Sequence, residues 1–105
     1  MKIPFLVLLA SLSGAPALAS ACDKEAALKR MDEMDTPALE TLRGNWLRVH
    51  WTSKWDGLSR EQRLARLRDY TAADTCVAGR PRNRIDFLRS GQIVGAMRDG
   101  QVTLK

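Results

Sequence analysis

The chain has 105 residues, with 17 Lys and Arg against 12 Asp and Glu for a net charge of +5 at pH 7, and only two cysteines. A chain of that length is expected to make one domain with a thin core. The residues also contain no phosphate-cradling glycine loop, metal-ligand cluster, Ser/His/Asp set or internal repeat, so no cofactor is expected.

The N-terminus reads as a secretory signal peptide over residues 1–21. Met1-Lys2 gives a positive start, Ile3 to Ala10 is almost wholly apolar, and Pro16 precedes small residues. The apolar run is well short of the roughly 20 residues that span a bilayer. Two small-x-small sites compete for cleavage, Ala17-Leu18-Ala19 and Ala19-Ser20-Ala21, the second leaving Cys22 first. Residues 22–105 then form one small exported domain, split into a helical half (22–76) and a strand-patterned half (79–105). A core this small usually needs a staple. In an oxidising compartment the two cysteines, Cys22 and Cys76, are expected to pair with each other rather than bind metal.

The segment Leu18-Ala19-Ser20-Ala21-Cys22 also resembles the lipobox of bacterial lipoproteins, with the leucine one place further from the cysteine than the motif has it. That resemblance implies the alternative of a lipid anchor on Cys22, and with it a membrane partner. Residues 22–42 carry three Lys/Arg and six Asp/Glu, net −3, whereas residues 43–105 carry thirteen and six, net +7. The surplus positive charge points to an anionic partner. Export makes nucleic acid a poor candidate and favours an acidic protein surface or an anionic envelope polymer.

In chain order, Asp23 to Met34 places Ala27, Leu28, Met31 and Met34 at helical spacing, and predicts an amphipathic helix. Met31 and Met34 are read as core filler rather than as thioether ligands for copper. Thr36 as N-cap and Pro37 at the first helical position restart the pattern, and Leu39, Leu42, Trp46 and Val49 continue it, predicting a second helix to about Trp51. The same residues also alternate, Trp46, Arg48 and His50 against Leu47, Val49 and Trp51. In a helix, Trp51 and Trp55 share a face opposite Trp46, so Trp46 is expected in the core and Trp51 and Trp55 on a binding surface, unless all three fill the core. His50 is the only histidine, and a small hydrolase-like enzyme using it with Asp56 or a serine is one alternative function. Asp56-Gly57 is a turn. Ser59 with Gln62 is a capping box, and Leu64, Leu67 and Thr71 mark a third helix to about Ala73.

Beyond Gly79 the period changes to two. Ile85, Phe87, Ile93, Met97, Val102 and Leu104 are apolar, with turns at Arg89-Ser90-Gly91 and Asp99-Gly100. A two-residue Ser90-Gly91 loop separates Ile85 and Phe87 from Ile93 and Met97. A three-residue loop puts all six on one face, and predicts a three-stranded antiparallel meander packed on the helices. Arg80, Arg82 and Arg84 at i, i+2 and i+4 then line the opposite face with Arg98, opposed only by Asp86. Such a row suits carboxylates or phosphates, or else protects an edge strand. Pro81 followed by Ile85-Asp86-Phe87-Leu88, a glycine turn and Ile93-Val94 resembles the last hairpin of thioredoxins. The chain has no C-x-x-C pair, so the likeness implies no redox activity.

The expected protein is therefore α+β, with about three N-terminal helices, a three-stranded β-meander and one disulfide. The expected function is a periplasmic or secreted, non-enzymatic binding protein, of an inhibitor, immunity or accessory type, using Arg80, Arg82, Arg84, Arg98, Trp51 and Trp55. The second reading is an envelope-surface protein held by a lipid on Cys22 or by anionic headgroups.

Overall fold

A computed structural model describes residues 22–35 and 37–105. The expected signal peptide, its cleavage sites and the N-cap role of Thr36 lie outside the described residues. Two helices and a five-stranded mixed sheet follow in the order α1 (Lys24–Met34), β1 (Ala38–Leu42), β2 (Trp46–Trp51), a 3-10 turn (Ser53–Gly57), α2 (Arg60–Ala78), β3 (Arg84–Arg89), β4 (Gln92–Arg98) and β5 (Gln101–Leu104). The strands lie in chain order across the sheet. β2 and β3 run parallel, joined through α2, and the other neighbouring pairs are antiparallel.

This corrects the expectation of three helices and a three-stranded meander. The segment read as a second helix is the β1–β2 hairpin. Gly44 (φ 76°) and Asn45 (φ 58°) both adopt the left-handed conformation, which ends any helix and reverses the chain. Beyond the turn, Val49 and the tryptophans follow the alternation of a half-buried strand: Leu47, Val49 and Trp51 are buried, and Trp46, Arg48 and His50 only partly so. Leu39, on the apolar stripe of the predicted helix, is 52 % exposed on the edge strand β1. Pro37 precedes that strand instead of opening a helix.

The helix starts follow their caps. The Asp23 carboxylate accepts from the Ala26 amide at 3.1 Å, and Ser59 with Gln62 forms the reciprocal capping box. α2 runs to Ala78, about a turn past the expected end, and stops at Gly79 in the left-handed conformation (φ 84°). Cys22 and Cys76 form a disulfide, with Cα atoms 5.8 Å apart, that ties the start of α1 to the end of α2. At the other end of α1, the buried Asp35 accepts from the Thr52 amide at 2.8 Å and from the Thr52 hydroxyl, and Arg66 donates to the Met34 carbonyl.

The register of the C-terminal strands also differs from the expected one. Ser90 (φ 54°) and Gly91 (φ 79°) make a two-residue turn, not a three-residue loop. A bulge then restores the pattern: β3 and β4 shift register between Phe87 and Leu88, so that Met97 pairs with Ile85 on the core face while Ile93 pairs with Leu88 on the other. Ile93 is 44 % exposed. Asp99-Gly100 is the two-residue turn expected.

The core lies between the sheet and α2. Leu47, Val49, Ile85, Phe87 and Met97 meet Leu67, Tyr70 and Ala73, with Trp55 from the 3-10 turn and Met31 from α1. Trp51 stacks between Trp55 (5.7 Å) and Phe87 (6.1 Å), and Tyr70 meets Trp51 edge-on at 5.4 Å. Both helices sit on this one side, which leaves the other face of the sheet uncovered by any helix among the described residues.

Candidate binding site on the open sheet face

Strand pairing sets out the uncovered face row by row. Trp46 lies beside Arg84, and Arg84 beside Arg98; one row along, Glu40, Arg48, Asp86 and Ala96 stand side by side; then come His50, Leu88 and Ile93. Three arginines from three different strands therefore surround one aspartate at the middle of the sheet.

Asp86 is only 2 % exposed although it sits on the face without helices, because its neighbours roof it over. Arg98 Nη2 donates to Oδ1 at 2.6 Å, Arg84 donates through Nε and Nη2 at 3.3 and 3.1 Å, and the Trp46 indole N–H donates at 3.1 Å. Burial alone would raise the pKa of this carboxyl. The hydrogen bonds from Arg98 and then Arg84 outweigh it and hold the group below its ordinary value, so it is a permanent anion at neutral pH. The Trp46 ring is held in turn by cations: the Arg84 guanidinium lies 4.0 Å from its centre and that of Arg48 4.9 Å. Arg98 Nη1 is fixed by the carbonyls of Ile85 and Met97 at 3.1 and 2.9 Å.

These bonds preset the arginines without exhausting them. Arg84 keeps Nη1 and Arg98 keeps Nε outside the hydrogen bonds just named, and their side chains remain 41 % and 44 % exposed. A guanidinium has five donors. Arg48 reaches Glu40 at only 3.5 Å, and His50 Nε2 lies 3.4 Å from the same carboxylate. With the histidine neutral, Arg48, Arg84 and Arg98 against Glu40 and Asp86 leave a formal surplus of one positive charge, 3 − 2 = +1.

The residues anticipated from sequence fall in four places. Arg84 and Arg98 come together here. Arg80 is exposed in the loop before β3. Arg82 turns away, donating a fork to the buried Asp74 at 2.9 and 3.1 Å and a further bond to Asn45 at 3.4 Å. The hydrogen bond with Asp74 raises the pKa of Arg82, and the phenol of the adjoining Tyr70 is pushed up by burial and then by Asp74. The expected row of Arg80, Arg82 and Arg84 does not form, because the chain becomes a strand only at Arg84 and an unpaired Asp74 inside the fold would be costly. Trp51 and Trp55 are 3 % and 2 % exposed, so they are core and no surface platform. Trp46, expected in the core, is the one on the open face, since strand alternation replaces the helical face assignment. His50 faces Glu40, and Asp56 is engaged by Arg89 at 3.0 Å. Trp46, Arg48 and Asp86 were missed as site residues, although the alternation of residues 46–51 held the signal for the first two.

Among the described residues no group of three or more His, Cys, Asp and Glu is placed to hold a metal ion, and no helix is long and apolar enough to cross a membrane. Comparison with protein-family models, with curated proteins and with solved structures returns no match for this chain.

Proposed function

We propose that this is an exported, non-enzymatic binding protein, of an inhibitor, immunity or accessory type, that engages an anionic partner through Arg48, Arg84 and Arg98 on the open sheet face. The observation that carries this reading is the buried Asp86 holding two half-exposed guanidiniums in fixed positions on a sheet face that no helix covers among the described residues. A protein that needed these charges only for solubility would gain nothing from immobilising them, because ordering a long side chain costs entropy. Fixed arginines lose less on binding, so their surplus donors favour recognition of carboxylates or phosphates. The disulfide and the signal-like residues 1–21 support the export part of the proposal.

The test is retention of the disulfide-bonded chain on immobilised polyglutamate and on immobilised polygalacturonate, eluted with NaCl. Arg84→Ser and Arg98→Ser, combined with Asp86→Asn so that no buried charge is left unpaired, change the net charge by −1, as Arg80→Ser does; the triple variant should elute at clearly lower salt than the parent, and Arg80→Ser close to it. A triple variant that elutes with the parent from both supports would overturn the assignment of the site. Arg82 is not a useful probe, since its loss would disturb the fold through Asp74.

A further inference from the structure

Resting on that reading, we infer that the partner presents an extended acidic and apolar peptide segment of a protein, with a carboxylate on the Arg84–Arg98 pair and an aliphatic side chain about four residues away on Leu88 and Ile93. Three observations narrow the anionic partner to this one.

The cations of the central rows are all arginines, with no lysine among them, and two of the three, Arg84 and Arg98, are pinned on Asp86. A diffuse polyanion needs only mobile point charges, whereas a planar fork held by Asp86 suits a planar carboxylate. Arg84 and Arg98 are direct cross-strand partners, with backbones about 5 Å apart, so one carboxylate can accept from both.

The second observation is the apolar ledge. Leu88 pairs with Ile93 on the same face, and Ile93 is 44 % exposed because the two-residue Ser90-Gly91 turn places it outside the core. From Arg84 to Leu88 is four residues of strand, about 13 Å. An extended peptide laid along β3 therefore meets the arginines with one side chain and the ledge with the side chain four positions away, both on its sheet-facing side. A bare polyanion would leave the ledge uncovered.

The third is size. Five strands at about 4.8 Å and five residues along each give a face of about 400 Å², half the roughly 800 Å² that each partner of a standard protein interface buries. A single segment matches that footprint better than the broad surface of a folded partner does.

The experiment uses the disulfide-bonded chain and a pool of dodecapeptides with Glu-x-x-x-Leu fixed at the centre and varied residues elsewhere. Affinity is read by fluorescence anisotropy against matched pools carrying Gln for Glu or Ala for Leu. Phosphatidylglycerol vesicles, inorganic phosphate and polygalacturonate serve as competitors. Each pool change should weaken binding about tenfold, the worth of one charge-assisted hydrogen-bond set or of most of one buried leucine. Arg84→Lys should weaken the parent pool by a similar factor while leaving the Gln pool unchanged. If polygalacturonate or the vesicles bind tightly, and neither the Gln nor the Ala change matters, the peptide inference falls and the anionic-partner reading stands. If no anionic probe binds, both fall.

Discussion

Replacing Asp86 by asparagine tests the centre of the site. The substitution keeps the shape but removes the charge that Arg98 and Arg84 share, and turns an NH2 group toward them. Hydrogen bonds to a charged group contribute about 1.5–3 kcal/mol, and breaking a sealed ion pair costs about 3–5 kcal/mol. Here the two guanidiniums are 41 % and 44 % exposed and can return to water, so the lower range applies and a loss of about 2 kcal/mol is expected. With a urea slope of about 1 kcal/mol per molar for so small a domain, the unfolding midpoint should fall by about 2 M at pH 7. The pH dependence carries a sign. Because the folded-state pKa of Asp86 lies below the ordinary 3.8, its stabilisation is complete above the unfolded value and is lost as pH falls through the depressed folded one. The gap between parent and Asp86→Asn, followed by tryptophan fluorescence, should stay level from pH 8 to about 5 and close below about pH 4. A midpoint difference under about 0.5 M at pH 7, or a gap that persists unchanged at pH 2.5, would refute the assignment of Asp86 as the anion that organises the face.

The other predictions concern what supports that face. Arg82→Ala should destabilise by about 3 kcal/mol by orphaning the buried Asp74, and Arg82→Met with Asp74→Leu should recover most of it, as urea midpoints will show. Reducing the Cys22–Cys76 bridge opens a loop of 55 residues (76 − 22 + 1), for which loop entropy predicts a loss of about 4 kcal/mol, measured by unfolding with and without dithiothreitol. Gly95→Ala should cost about 1–3 kcal/mol in thermal unfolding, because the added methyl would lie 2.4 Å from Leu67 Cδ1 and 3.0 Å from the Thr103 carbonyl inside a filled core.

Where local chemistry has a single solution, the residues declared it. Ser59 and Gln62 fixed the start of α2, and the two cysteines in so short a chain pointed to one bridge. Asp99-Gly100 set the last turn. The second helix was misread because Leu39, Leu42, Trp46 and Val49 satisfy the helical spacing while residues 46–51 also alternate, and periodicity over so few residues does not separate the two. Gly44-Asn45 decides it, through positive φ at both positions. The bulge opposite Phe87 left less trace. It depends on the core accepting Met97 and on Gly95 fitting under Leu67, which are tertiary facts. Of the site, Arg84, Arg98 and the opposing Asp86 could be placed on one face from their parity, but Trp46 and Arg48 could not join them until β2 was known to lie parallel to β3.

That parallel pairing has a consequence for assembly. The covalent ring closed by Cys22 and Cys76 contains β1, β2 and α2, and with them Trp46 and Arg48. Arg84, Asp86 and Arg98 belong to the tail outside it. The proposed recognition surface is thus divided between a tethered part and an untethered one, and comes into being only when the tail docks as the third strand. A chain cut short after Gly79 would keep both cysteines but lose Ile85, Phe87 and Met97 from the core together with the arginine pair.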